Sequence, residues 1–298
     1  MTSEETYYYK VAEHYFKIVF VPSRYNDEEF LLSYRPFRVP PVADEMLLFT
    51  VTVDDKMPPF PQHTRERMGE YDSNNGTIII DRASDGAYQF IVKDGEKRSC
   101  SLLHADKTFH HCGCALNGTR TMRSLGLNNA LMMATAFAGA ARQTLLIHAS
   151  LVRHHGVGYA FTAVSGTGKS THVNLWMRNI DGCDIMNDDN PLVRVIDGKA
   201  YIYGSPWSGK TPCYRDVKAP LGAITRVVRG KANVVEPLEP KVAFVTLISA
   251  CSALKCDATV YNNMCTTISK VLEVTRVYAM YCLPDDEAAK ICNSVLSR

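Results

Sequence analysis

The stretch Ala163-Val164-Ser165-Gly166-Thr167-Gly168-Lys169-Ser170-Thr171 decides how this chain is read. It follows a β-branched and aromatic run, Tyr159 to Val164, and precedes a helical pattern from about Lys169 to Arg178. A glycine turn between a strand and a helix makes an anion cradle, because backbone N–H groups then converge at a helix N-terminus. Lys169 is placed to reach the β- and γ-phosphates of a nucleotide, and the Ser170 hydroxyl to ligate Mg²⁺. The consensus for such a P-loop is G-x-x-x-x-G-K-[ST], and Ala163 stands where its first glycine would be. The expected nucleotide-binding residues are therefore Ser165, Gly166, Thr167, Gly168, Lys169, Ser170 and Thr171.

Working outward, Asn187-Asp188-Asp189-Asn190 follows a short strand, Asp184 to Met186, nineteen residues past Lys169. Asp and Asn favour turns in any protein. At the end of a strand neighbouring a phosphate loop, however, paired carboxylates allow one to hold Mg²⁺ and the other to act as base toward a hydroxyl. Upstream, Leu145 to Val152 reads as a strand carrying His148, and a turn over His154 to Gly158 joins it to the strand before the loop. Further on, Val242 to Cys251 and Met264 to Leu272 read as helices, Arg276 to Leu283 as a strand and Asp285 to Leu296 as a closing helix. In Gly204-Ser205-Pro206-Trp207-Ser208-Gly209-Lys210-Thr211 and Tyr214-Arg215-Asp216, the cations Lys210 and Arg215 suit a transferring phosphoryl group or an acidic acceptor. Trp207 could equally stack on a substrate or pack.

Before Asn117-Gly118 the texture differs. Phe16 to Val21, Met46 to Val53, Gly76 to Ile80 and Tyr88 to Val92 read as strands separated by Pro, Asn and Gly turns. Met122 to Gln143 reads as a buried helix. The expected division is a mainly antiparallel β region over 1–115, a candidate acceptor-selecting domain, and an α/β domain over 116–298. His104, His110, His111, Cys112 and Cys114 invite a metal, but C-x-C beside two histidines lacks the second pair of a zinc site.

The 298 residues are 46% hydrophobic and 21% charged, the balance of a folded globular protein. A net charge of +2 gives no footprint for nucleic acid and no polybasic membrane patch. The apolar run Ala130 to Ala141 is too short for a membrane span. The acidic, aromatic start and ten scattered cysteines suggest reduced thiols and the cytoplasm.

Taken together, Ile147-His148-Ala149-Ser150, the loop over 165–171, Asp188-Asp189 and Leu283-Pro284-Asp285-Asp286-Glu287 resemble the HPr kinase/phosphorylase family. That family has the phosphoenolpyruvate carboxykinase type of P-loop fold, and the resemblance spans roughly residues 116–298. It implies an ATP- and Mg²⁺-dependent kinase, with Mn²⁺ as a substitute metal. It also implies that His148 tunes Asp188 as the base and that Asp189 lies with Ser170 near the metal. Thr171 stands where bifunctional members carry glutamate, and the phosphorylase signature L-E-x-R-G-[LV]-G is not recognisable. Expected, then, is phosphoryl transfer from ATP to a hydroxyl of a protein, a peptide or a small molecule. A non-catalytic nucleotide-binding regulator is the alternative, a carboxykinase-type enzyme the less favoured one, and homo-oligomerisation stays open.

Overall fold

The computed structural model describes residues 4–73, 76–164, 166–209 and 211–297, so Ser165 and Lys210 lie outside the described residues. The chain is mixed α/β with two large sheets and separates into two compact units, Met1–Gly139 and Ala140–Arg298.

The N-terminal unit is built from β1 (Glu5–Val11), β2 (His14–Phe20), β3 (Arg38–Val39), β4 (Leu47–Val53), β5 (Arg65–Ser73), β6 (Gly76–Ala83), β7 (Tyr88–Lys93), β8 (Ser99–Ala105) and β9 (His111–Leu116). They form one sheet in the order β3-β1-β2-β4-β9-β8-β7-β6-β5. All neighbours pair antiparallel except β2 with β4 and β4 with β9, which run parallel. In β4 Leu47, Phe49, Val51 and Val53 are buried and the residues between them are not, the period of a strand with one packed face. Helix α1 (Arg120–Ala140) packs on this sheet. Phe137 lies 6.0 Å from Phe90 and 5.3 Å from Phe109 between ring centroids, and Ser101 Oγ donates to the Gly126 carbonyl at 3.1 Å. The helix therefore goes with the N-terminal unit, whereas the sequence reading set the boundary before it, at 115/116.

The C-terminal unit holds β10 (Thr144–Leu146), β11 (Ser150–His154), β12 (Val157–Thr162), β13 (Cys183–Asn187), β14 (Leu192–Ile196), β15 (Lys199–Tyr203), β16 (Lys218–Arg229), β17 (Val234–Pro237) and β18 (Arg276–Cys282). Their order is β10-β14-β15-β16-β12-β11-β13, with β18 beside β16 and β17 beside β18. Strand β16 runs parallel to both β12 and β18. Helices α2 (Lys169–Asn179) and α5 (Asp286–Leu296) pack on one face, where Val173, Trp176, Ala288 and Cys292 meet Phe161, Val227 and Met280. Helices α3 (Pro240–Ala250) and α4 (Ala258–Val274) pack on the other, where Ala243, Leu247, Ile268 and Val271 meet Ile202, Leu221 and Ile224. Asp285 caps α5 by accepting from the Ala288 amide at 3.0 Å.

One expected strand is broken. Residues 147–149 leave the ladder between β10 and β11, because the chain changes partners there, from β14 to β12 and β13. Their backbone bonds go elsewhere: Ile147 N to Pro191 O at 3.1 Å, His148 N to Ala250 O at 2.7 Å and Ala149 N to Asp189 O at 2.9 Å. His148 thus sits in a gap between strands.

Candidate active site

The glycine loop joins β12 to α2. Gly166 and Gly168 have φ of +76° and +124°, conformations that a side chain disfavours, which is why glycine occupies both positions. Gly168 is the N-cap of α2 and offers no side chain to cap the amides of the helix's first turn, which have no intrahelical partner. The loop is closed by the Thr167 amide on Val164 O at 3.0 Å. It is braced from outside by Arg229 at the end of β16, whose Nη2 donates to Gly166 O at 2.9 Å. Sequence reasoning missed Arg229; no signal near the loop announces an arginine 63 positions away.

The carboxylates stand just past β13, on a turn fixed from beneath. Asn187 is fully buried, and its Oδ1 accepts from the amides of Asp189 and Asn190, both at 2.9 Å. Its Nδ2 donates to Ser205 Oγ at 3.0 Å and Trp207 O at 2.9 Å. Both lone pairs of Oδ1 and both hydrogens of Nδ2 are used, which orients the next two residues. Asp188 is 4% exposed and its Oδ1 accepts from Ser170 Oγ at 3.1 Å and Ser150 Oγ at 3.0 Å. Asp189 is partly exposed, with Oδ1 3.5 Å from His148 Nδ1.

His148 Nε2 is hydrogen-bonded to Lys169 Nζ. An ammonium only donates, so Nε2 accepts and the ring proton sits on Nδ1, facing Asp189. Burial and then the Lys169 charge push His148 below the usual histidine range, against the opposing pull of Asp189. Burial likewise lowers Lys169, opposed by Asp189 and Asp188. The structure thus gathers His148, Lys169, Ser170, Asp188 and Asp189 at the mouth of the loop. Their pairing is the reverse of that implied by the resemblance: His148 faces Asp189, and Ser170 faces Asp188.

Two other expected contacts fall differently. Arg215 donates to Asp184 Oδ2 at 2.6 Å and to the Ile185 carbonyl, while Arg153 clasps the same carboxylate through two 2.9 Å bonds. Burial would raise Asp184, but the two arginines outweigh it and hold the carboxyl below its usual range. Arg215 therefore braces β13. Trp207 is 6% exposed and packs. In the N-terminal unit His104 stacks on Phe60 at 3.8 Å, and Cys112 and Cys114 are buried.

Two pockets flank the loop. One, of about 380 Å³, is lined by Gly166, Gly168, Thr171, Leu175, Val227, Arg229, Leu283 and Pro284. The other, of about 540 Å³, is lined by His148, Ala163, Val164, Arg226, Val245 and Thr246 among others. Both lie by the carboxyl ends of parallel strands, where open α/β sheets take their ligands. Strand β16 serves both, because successive side chains point to opposite faces: Val227 and Arg229 to the first, Arg226 to the second.

No family model and no curated protein sequence matches this chain. Among solved structures it is similar to the Hpr(Ser) kinase/phosphatase from Coxiella burnetii, with 8% identity over 51% of this chain and 88% of that one, and a TM-score of 0.31. Among the described residues no helix is long and apolar enough to cross a membrane.

Proposed function

We propose that the C-terminal unit is a P-loop kinase that transfers the γ-phosphoryl group of ATP to a hydroxyl. One observation carries this reading: a glycine loop at a helix N-terminus, with Lys169, His148 and two carboxylates converging on its mouth. The amides of the first turn of α2 and the Lys169 ammonium would take the β- and γ-phosphates. Nucleotide displaces Lys169 from His148, since the triphosphate is the stronger partner for a cation. The apolar walls of the 380 Å³ pocket, Leu175, Val227, Leu283 and Pro284, suit the nucleoside.

Ser170 and Asp188 offer hard oxygen donors 3.1 Å apart, a set that fits Mg²⁺. When bound, that ion would neutralise charge on the phosphates. Asp189 then takes the proton of the acceptor hydroxyl, with His148 holding it in place. The acceptor oxygen bonds to the γ-phosphorus, the bond to the β–γ bridging oxygen breaks, and ADP leaves with its electron pair.

The test is label transfer from γ-labelled ATP to a panel of small alcohols and serine or threonine peptides. Asp189→Asn is expected to lower transfer at least about 100-fold, the scale of a lost general base, with nucleotide still bound. Asp188→Asn is expected to weaken Mg²⁺-dependent nucleotide binding about tenfold or more. Undiminished transfer in Asp189→Asn, or labelling of no acceptor by the wild type, would contradict the reading.

A further inference from the structure

We infer that the 540 Å³ pocket on the α3 face of the loop is the acceptor site, and that its Arg226 selects an alcohol carrying a carboxylate or phosphate group. This rests on the kinase reading and names the substrate class of that site. The pocket begins at His148, the residue that touches both Lys169 and Asp189, so a molecule filling it lies beside the phosphoryl end of a bound nucleotide. Its volume falls in the range of small-ligand sites.

Arg226 projects from β16 next to Thr162, its register partner on β12 one residue before Ala163. It is exposed, and no carboxylate among the described residues pairs with it. Arg215 and Arg153, by contrast, are both spent on Asp184. No Asp or Glu lies among the pocket's described lining residues, so the guanidinium sets the sign of the charge there. A planar guanidinium matches a carboxylate or phosphate through two parallel hydrogen bonds. Around it Val164, Val242 and Val245 are 72%, 47% and 61% exposed. Apolar exposure gathered on one pocket marks a surface meant to be covered, here by the carbon body of the acceptor.

The probe is inorganic phosphate, titrated calorimetrically into the full chain with Mg²⁺ and saturating AMP-PNP, which fills the loop. Saturation is verified by displacement of a fluorescent nucleotide. Phosphate is expected to bind the nucleotide-filled wild type, and at least tenfold more weakly when Arg226→Met removes the charge. Val245→Glu, at an exposed site, is expected to weaken it too, by adding a repelling carboxylate. Competition names the source of the anion: displacement by glycerate points to a carboxylate and displacement by glycerol 3-phosphate to a phosphate ester, each supporting the inference. No phosphate binding to the nucleotide-filled wild type, equal binding by Arg226→Met, or equal displacement by neutral glycerol would overturn it. Failure of AMP-PNP itself to bind is a separate result, which would overturn the kinase reading and the inference with it.

Discussion

His172, on the first turns of α2, is 2% exposed, and its Nε2 accepts from Trp176 Nε1 at 3.2 Å. Burial pushes it down to about 4, against about 6.5 in an unfolded chain. Between those values the unfolded state binds the extra proton, so stability is complete above about pH 6.5 and is lost as pH falls toward 4. The loss attributable to this one residue is about 3 kcal/mol by pH 4. Urea denaturation at pH 7 and 4.5 is expected to show a much smaller drop for His172→Gln than for the wild type; equal drops would remove His172 from the account. At this scale the sequence announced the loop lysine, the serine and the acid pair through their spacing. It did not announce which acid meets which partner. That depends on the gap over 147–149, which lets His148 face Asp189, and on Ser150, whose hydroxyl reaches Asp188 together with Ser170.

Helix α2 is held by its indole. Trp176 is fully buried, with ring centroids 5.4 Å from Phe161 and 5.5 Å from Tyr159. Trp176→Ala is expected to cost about 3–5 kcal/mol, the range for emptying a large aromatic site, read as a shift in denaturation midpoint. The loop before the helix fails differently. Gly168→Ala places a side chain at φ +124°, so it is expected to weaken nucleotide binding severalfold while costing on the order of 1–3 kcal/mol in stability. Unchanged nucleotide affinity in a folded Gly168→Ala protein would contradict the loop geometry. Helix α5 was legible nearly to its ends, whereas of α4 (Ala258–Val274) only the stretch Met264 to Leu272 was legible. Strand β16 was not, because Pro220 and Gly222 interrupt Lys218–Arg229 with residues that usually end strands. Pro220 lies where β16 pairs antiparallel with β15, before the parallel stretch begins. Missing β16 meant missing Arg226 and Arg229.

For the molecule as a whole, the alternation of strands and helices after residue 140 was readable as α/β, and the punctuated strands before it as a sheet. Pairings distant in sequence were not readable. The parallel contacts of β2 with β4 and β4 with β9 join strands whose sequences carry no mark of direction. The allegiance of α1 is decided by Phe137 meeting Phe90 and Phe109, a contact that only the folded sheet creates. What unifies the C-terminal unit is the loop mouth, where α2 delivers Lys169 and Ser170, the turn after β13 delivers Asp188 and Asp189, the gap before β11 delivers His148, and β11 delivers Ser150.

The most direct test of that convergence is a calorimetric titration of AMP-PNP into the full chain, with and without Mg²⁺, for the wild type and Lys169→Met. The account predicts saturable binding that Mg²⁺ strengthens, and a loss of at least about tenfold on removing the Lys169 charge. Binding that ignores both the metal and the lysine in a folded protein, or no binding at all, would contradict it.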